Sequence, residues 1–171
     1  MAKSAALIRT GTDRAAQCRT ALADHPATGQ SNITQGPWTA GEGGEAQKDH
    51  FISRNGRLFA GTHLIIDLWG ASRLDDLDHV RETLVEAVRV AGATLLHIHL
   101  HHFTPNGGIS GVAVLAESHI SIHSWPERGY AALDVFMCGD AEPMKTIPVL
   151  ERAFTPTGIT CDELLRGEIG E

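Results

Sequence analysis

The stretch "AESHISIHSWPERGYAALDVFMCGD", residues 116–140, decides both the fold and the chemistry. It contains two strand candidates, "ISIHSW" (120–125) and "YAALDVFMC" (130–138), which have the length and apolar content of strands in a sheet. Glu117 directly precedes Ser118, a histidine follows the serine by five residues and a cysteine follows it by twenty. These spacings match neither a zinc site nor the nucleophile turn of a serine hydrolase.

The remaining elements lie on both sides of this stretch. The other strand candidates are "LFAGTHLIIDLW" (58–69), "TLLHIHLHHF" (94–103), "VAVLAES" (112–118) and "GITCDELLR" (158–166). The helix candidates are "LDDLDHVRETLVEAVRVAG" (74–92) and "EPMKTIPVLERAF" (142–154), although Pro148 weakens the second. The order β-α-β-β-β-β-α-β predicts a two-layer α/β sandwich, in which a mostly antiparallel sheet carries the helices on one face.

The first 56 residues differ from the rest of the chain. Residues 12–25, "TDRAAQCRTALADH", predict a short helix capped by Thr12 or Asp13. Residues 27–49 are rich in Gly, Thr and Gln and lack apolar periodicity, which is typical of a mobile linker. We therefore expect a flexible N-terminal extension over residues 1–56, followed by one domain over residues 57–171.

Composition narrows the classes of function and the compartment. The 171-residue chain has a formal charge of −7, which disfavours nucleic-acid binding and is compatible with a cationic small molecule. No apolar run approaches the length that spans a bilayer. The three cysteines form no Cys-x-x-Cys pair and the chain begins without a signal peptide, so we expect free thiols in a reducing cytoplasm.

The histidines raise a metal-binding alternative. His97, His99 and His101 alternate, so on a strand they share one face and could bind zinc or copper. Neighbours would stand roughly 6.5–7 Å apart along the strand, so they chelate one ion only if their side chains converge. Further candidates for such a cluster are His63, His119 and His123. A histidine-rich metal-binding module that does not process itself therefore stays open at this point.

The Glu117–Ser118 bond suggests a second kind of chemistry. A serine hydroxyl can attack the carbonyl before it and convert the peptide into an ester, if the backbone is strained and the oxyanion is stabilised. A base that removes the serine Cα proton would then eliminate the ester and leave a pyruvoyl group after hydrolysis. The nearby candidates for taking part in this chemistry are Ser110, which lies across a possible hairpin, and His123, which would act as the base. The dipeptide and the spacing alone are too common to decide.

Longer motifs do decide. The segments "ESHISIH", "WPE", "GYAALDVF" and "CG" resemble the processing and active-site region of the bacterial and archaeal S-adenosylmethionine decarboxylase proenzymes. The resemblance extends upstream through "GATLLHIHLHHFTPNGGISGVAVLAES" and "GTHLIIDLWG", and more weakly downstream. It covers roughly residues 58–166 and leaves the N-terminal extension outside.

The resemblance implies a self-processing, pyruvoyl-dependent carboxy-lyase. Cleavage at Glu117–Ser118 would give a β chain of residues 1–117 and an α chain of residues 118–171, with Ser118 becoming the covalently bound pyruvate group. His123 would act in processing with assistance from Ser110, and Cys138 would be the proton donor in turnover. The family's sandwich dimerises, which implies a homodimer of processed protomers with active sites close to or across the interface.

The implied substrate is S-adenosylmethionine, whose decarboxylated product donates aminopropyl groups to spermidine and other polyamines. The pyruvoyl ketone would form a Schiff base with the substrate amine and supply the electron sink. Glu127 and Asp67 are candidate carboxylates for the cationic substrate, and the rings of Phe103 and Trp125 are candidates for its sulfonium. Taken singly, Trp125 could equally be packing, Asp67 a structural hydrogen-bonding group, Glu127 part of a solvated turn and Cys138 a core residue.

Three departures from the commoner family pattern leave the substrate open. The loop before Ser110 carries one extra glycine, Arg128 replaces an aromatic residue, and Asp67 stands where glutamate is frequent. A pyruvoyl-dependent arginine or ornithine decarboxylase is therefore the alternative. In addition, Ser118 and His123 have opposite parity on a strand, so either the chain turns at the Glu117–Ser118 bond or a bulge intervenes.

Overall fold

One sheet organises the described part of the chain. The computed structural model describes residues 19–21 and 50–169. The strands are β1 (Arg19–Ala21), β2 (Ile52–Arg54), β3 (Arg57–Trp69), β4 (Leu95–His102), β5 (Ile109–Leu115), β6 (Ser118–Trp125), β7 (Tyr130–Met137) and β8 (Gly158–Ile169). The helices are α1 (Leu77–Val90) and α2 (Thr146–Phe154). The predicted two-layer α/β sandwich is confirmed, and the predicted order of elements holds from β3 onwards.

The strands are arranged in the order β1-β8-β3-β7-β6-β5-β4, with β2 pairing with β3 away from this path. Only the β1–β8 pair is parallel; every other pair among the described strands is antiparallel. Because successive strand residues point to opposite faces, each strand divides its side chains between the two sides of the sheet.

Strand β6 illustrates this division. Ser118, Ile120, Ile122 and Ser124 are buried, and the two isoleucines pack into the core cluster shared with both helices. The intervening residues His119, Ser121, His123 and Trp125 are more accessible and lie on the side away from the helices. We call that side the open face.

Local sequence explains both helices. Asp76 caps α1 by accepting a hydrogen bond from the His79 backbone N–H at 3.0 Å. Gly92 takes the left-handed φ of +74° just beyond the helix, a conformation that glycine adopts without strain. In α2, Pro148 lies in the first turn, where the missing N–H would have had no partner inside the helix. In the described segments, neither helix is long and apolar enough to cross a membrane.

The N-terminal residues give two differences from the sequence-based expectation. The prediction of a helix over residues 12–25 is wrong for residues 19–21. These residues form β1, which pairs with the edge of β8 in parallel register. Unpaired backbone groups on a sheet edge offer a short segment hydrogen bonds that outweigh a weak helix preference. Strand β2 also lies within the predicted extension, so pairing with the sheet begins before residue 57. The rest of that extension falls outside the described residues.

The expectation of free thiols is met at only one described cysteine. Cys138 is free, whereas Cys161 in β8 is disulfide-bonded. The expectation is therefore wrong for Cys161.

The core predicts a contrast between two neighbouring residues of α1. Leu84 is fully buried against the sheet, whereas Val85 is 39% exposed. We expect Leu84→Ala to lower the free energy of unfolding by about 2–5 kcal/mol, since it leaves a cavity. The matched control Val85→Ala should change it by less than about 1 kcal/mol. Urea unfolding measures both, and equal losses would contradict this description of the core.

Candidate active site

A strained turn precedes Ser118. Residues Ala116 and Glu117 connect β5 to β6, and Leu115 pairs with Ser118 across the turn. Glu117 adopts a left-handed φ of +64°, which costs a residue other than glycine about 1–2 kcal/mol. The chain therefore turns at the Glu117–Ser118 bond, and strain is concentrated on the residue that supplies its carbonyl.

Cys138 holds both sides of this bond. The register of β6 with β7 pairs His119 with Phe136, which brings the residue after β7 opposite the turn. The Cys138 thiol donates to the Glu117 carbonyl oxygen at 2.9 Å, and its backbone N–H donates to Ser118 Oγ at 3.3 Å. The Cys138 Sγ and Ser118 Oγ atoms are 3.4 Å apart. We call Glu117, Ser118 and Cys138 the turn cluster.

Beside the turn cluster, the open face has a depression of about 560 Å³. Ser118 and Glu117 line it together with His119, Phe136 and Arg166. The Arg166 guanidinium lies over the Phe136 ring at 5.6 Å, so the depression combines an aromatic wall with a cation. A small molecule seated there would lie against the Glu117–Ser118 bond.

His63 sits behind this depression in a defined protonation state. Its Nδ1 atom lies 3.4 Å from Arg166 Nη1, and its buried Nε2 lies 3.4 Å from Asp134 Oδ1. Burial is the main cause that lowers the pKa of His63; the Asp134 carboxylate opposes this and Arg166 reinforces it. Ser121 donates to the second Asp134 oxygen at 2.8 Å. The lowered pKa favours the neutral ring. The buried Nε2 has no hydrogen-bond partner among the described residues, although Asp134 Oδ1 lies 3.4 Å away.

A second cluster occupies the other end of the open face. Ser110 Oγ and His123 Nδ1 are 2.8 Å apart, on residues paired directly across β5 and β6. The same row continues through Ala132 to Asp67. Asp67 accepts from Tyr130 Oη at 2.6 Å, which is the main cause that raises the pKa of Tyr130 to about 12. We call Ser110, His123 and Asp67 the histidine cluster.

The two clusters are separate within one chain. His123 follows Ser118 by five positions along β6, about 16 Å at roughly 3.3 Å per residue, and the two side chains leave opposite faces. The structure thus joins Glu117 to Ser118 and Cys138, and Ser110 to His123, but does not bring His123 to the Glu117–Ser118 bond.

The candidate substrate residues lie near the histidine cluster. Thr160 Oγ1 donates to the second Asp67 oxygen at 3.1 Å, so both oxygens of that carboxylate are engaged. Trp125 is 42% exposed and its ring centre is 5.3 Å from that of Tyr130. Phe103, 48% exposed, packs on His101, and Glu127 is exposed on the 3-10 turn after β6. None of these four candidates adjoins Ser118 of the same chain.

The metal alternative gains nothing from the geometry. His97, His99 and His101 are exposed along β4, at the edge of the sheet. Over residues 19–21 and 50–169, no group of three or more histidine, cysteine, aspartate or glutamate side chains converges to hold a metal ion.

Sequence reasoning missed the residues around the depression. In the sequence, Asp134 and Phe136 appear only as members of the motif "GYAALDVF", and no motif points to Arg166. The signal available was their alternation: Asp134 and Phe136 occupy successive positions on the same face of β7. Their meeting with His63 and Arg166 depends on pairing among β3, β7 and β8, which no local pattern contains.

Comparison with known proteins gives consistent matches. A family model described as S-adenosylmethionine decarboxylase matches residues 62–167. The S-adenosylmethionine decarboxylase proenzyme of Methanococcus maripaludis strain C7 is 48% identical over 112 residues, which cover 64% of this chain and 91% of that protein. The proenzyme of Thermomicrobium roseum is 44% identical over 110 residues, which cover 64% and 95% respectively.

One solved structure is similar as well. The crystal structure of the adenosylmethionine decarboxylase from Aquifex aeolicus VF5 superposes with a TM-score of 0.58 at 35% identity. The match covers 66% of this chain and 95% of that chain. The region matched by the family model, residues 62–167, contains both clusters.

The environment of His63 predicts an observable titration. Its NMR midpoint should lie below the ordinary value of about 6.5. Because the unfolded chain then binds this proton more tightly, acidification through pH 6.5 should cost stability. Asp134→Asn should lower the midpoint further, since it removes the carboxylate that raises it, whereas the distant control Asp78→Asn should leave it unchanged. A rise in Asp134→Asn would contradict this assignment.

Proposed function

This chain belongs to the S-adenosylmethionine decarboxylase family, and we propose that it cuts its own backbone between Glu117 and Ser118 and then decarboxylates S-adenosylmethionine. The observation that carries the proposal is the left-handed Glu117 turn whose carbonyl accepts from the Cys138 thiol. The proenzymes named above are S-adenosylmethionine decarboxylases, so the arginine or ornithine alternative is not favoured.

Self-cleavage begins with strain that the fold already holds. Attack of Ser118 Oγ on the Glu117 carbonyl carbon breaks the peptide C–N bond, forms an ester and moves the hydroxyl proton to the Ser118 nitrogen. After the shift the chain runs from the Glu117 carbonyl carbon through Ser118 Oγ and Cβ to Cα, one atom longer than through the amide, so Glu117 is no longer bound to the left-handed conformation. The Cys138 thiol, 2.9 Å from the carbonyl oxygen, is a hydrogen-bond donor where negative charge develops.

The second stage needs a base. Removal of the Ser118 Cα proton forms a Cα=Cβ double bond, breaks the Cβ–Oγ bond of the ester and leaves Glu117 with a free α-carboxylate. The remaining dehydroalanine tautomerises to an imine, and water converts it to the pyruvoyl ketone with release of ammonia. We assign the base to His123, whose Nδ1 is oriented by Ser110 at 2.8 Å.

The residues around Ser118 fit a pyruvoyl group at that position. Ser118 is buried at the first position of β6, and the Cys138 N–H and thiol both face its side chain. When present, the group's ketone supplies an electrophile for the substrate amine and a sink for the electrons released with CO₂. Cys138 is free and 3.4 Å from Ser118 Oγ, so its thiol is positioned to return a proton to the substrate carbon.

The separation of the clusters supports a homodimer. A single chain keeps His123 about 16 Å from Ser118, by the strand rise used above. A two-fold interface is self-complementary, since residue i of one copy contacts j of the other and j contacts i. An axis between the clusters would bring the His123 of each copy to the turn cluster of its partner and complete two equivalent sites.

The open face also has the composition of an interface. Four large apolar side chains are 40–49% exposed on it: Ile65, Trp69, Val114 and Trp125. Exposed apolar groups gathered on one face mark a protein contact more often than a free surface. In such a dimer Asp67, Trp125, Phe103 and Glu127 would face the partner's depression. Their carboxylates and rings could then bind the substrate's cationic groups.

The proposal predicts that activity depends on the cut. Wild-type protein should give two fragments, residues 1–117 and 118–171, and release CO₂ from S-adenosylmethionine but not from arginine or ornithine. Ser118→Ala should stay uncut and lose at least about 10³-fold in activity, since it lacks the ketone. The control Ser72→Ala, which removes a hydroxyl on the helix side, should be cut and active. Gel electrophoresis, mass spectrometry and labelled CO₂ measure these outcomes; an uncut, active wild type would overturn the proposal.

A shared site predicts complementation between two inactive chains. His123→Ala chains should remain uncut alone, because no copy offers the base. Co-expression with differently tagged Ser118→Ala chains should restore cleavage of the His123→Ala chain, since mixed dimers then hold one complete site. Mass analysis of each tag separately measures the cut fraction. If mixing leaves the His123→Ala chain uncut, the base does not come from the partner.

A further inference from the structure

His50 lies outside the family match yet contacts the turn cluster. It precedes β2, twelve residues before the matched region begins at residue 62. The backbone N–H of Gly139 donates to the His50 carbonyl oxygen at 2.6 Å. Gly139 is the neighbour of Cys138, so His50 is attached to the strand end that carries the thiol.

The contact at Gly139 is close enough to require glycine. Gly139 has a φ of +61°, and a Cβ atom there would stand 3.2 Å from His50 Nδ1. A larger residue would therefore be strained by its own backbone and would also press on the His50 ring. The His50 ring thus lies close against Gly139, just beyond the end of β7.

The other edge of the His50 ring points to Glu117. His50 Nε2 is 3.6 Å from Glu117 Oε1, an ion-pair distance when the imidazole is protonated. Both side chains are about half exposed, so the interaction on its own is weak. Its importance lies in position, because Glu117 is the residue in the strained conformation. His50 therefore bridges the Glu117 side chain and the backbone beside Cys138.

We propose that His50 is a positioning residue for self-cleavage, which holds the Glu117 side chain while its own carbonyl fixes the Cys138–Gly139 segment. The proposal rests on the proposed self-processing. By fixing both partners of the thiol-to-carbonyl hydrogen bond, His50 keeps Cys138 on the Glu117 oxygen during the acyl shift. His50 acts through Glu117 and Cys138 and does not itself touch the Glu117–Ser118 peptide bond.

Cleavage changes what His50 connects. His50 and Glu117 belong to the fragment of residues 1–117, whereas Gly139 belongs to the fragment of residues 118–171. The bond from the Gly139 N–H to His50 then becomes a contact between fragments. The cut also gives Glu117 an α-carboxylate beside its side-chain carboxylate, so a protonated His50 faces more negative charge in the product than in the precursor.

The test is a double-mutant cycle on the rate of cleavage. His50→Ala, Glu117→Gln and the double variant are synthesised in a cell-free system, and the cut fraction is followed over time. We expect each single change to slow cleavage about twofold to fivefold, the upper range for an exposed ion pair. The double variant should be no slower than the slower single variant, because both remove the same contact. The exposed His102→Ala is the control and should cut at the wild-type rate.

The outcomes separate this inference from the proposed function. A wild type that is never cut overturns self-processing itself. A wild type that is cut, with His50→Ala cutting equally fast, overturns only the role of His50. The role of His50 is also overturned if the two fold reductions in rate multiply in the double variant, because His50 and Glu117 then act independently. The cycle thus distinguishes positioning of Glu117 from a general effect on folding, which the urea midpoint of His50→Ala monitors in parallel.

Discussion

The antiparallel register between β6 and β7 is the constraint on which the site depends. Pairing His119 with Phe136 brings Cys138 opposite Glu117, where the thiol reaches the carbonyl oxygen and the N–H reaches Ser118 Oγ. A slip of one residue would send every side chain of β6 to the other face and remove Ser118 from its donors. The buried isoleucines of β6 make that slip costly, so the packing of the core also fixes the geometry of the scissile bond.

Strand alternation explains why the chemistry is divided. One face of the sheet packs against the helices and forms the core. The candidate functional residues lie on the open face or at the turns between strands. The histidine cluster lies on the open face and the turn cluster lies at the start of β6. Because Ser118 and His123 leave opposite faces about 16 Å apart, a single chain does not bring them together. The exposed apolar side chains of the same face give a second copy a reason to cover it. The open face would therefore serve both the contact between two copies and the chemistry of the site.

The apolar patterns predicted the order of elements from β3 onwards, which the structure confirms. The motif proposed Ser118, His123 and Cys138 as site residues, and these roles remain predictions. The opposite parity of Ser118 and His123 was visible too; the chain turns at Glu117, but the two side chains still leave opposite faces of β6. Three features were not readable. Arg19–Ala21 pairs with a sheet edge that exists only after folding. Arg166 and Asp134 meet His63 through strands distant in sequence. His50 reaches Glu117 from a segment with no apolar periodicity, where local patterns carry no information about contacts.

The order of strands gives the cut molecule an interlocked construction. Strands β1 to β5 precede the Glu117–Ser118 bond and β6 to β8 follow it, yet β8 lies between β1 and β3, and β7 lies beside β3. The two fragments would therefore contribute strands that alternate within one sheet. Cleavage of the single bond between Glu117 and Ser118 would not separate them. Once the Cys161 disulfide is reduced and denaturant has separated the fragments, however, they could regain the native state only by collision. Recovery would then slow on dilution, and the molecule could in effect be assembled efficiently only once, before it cuts itself.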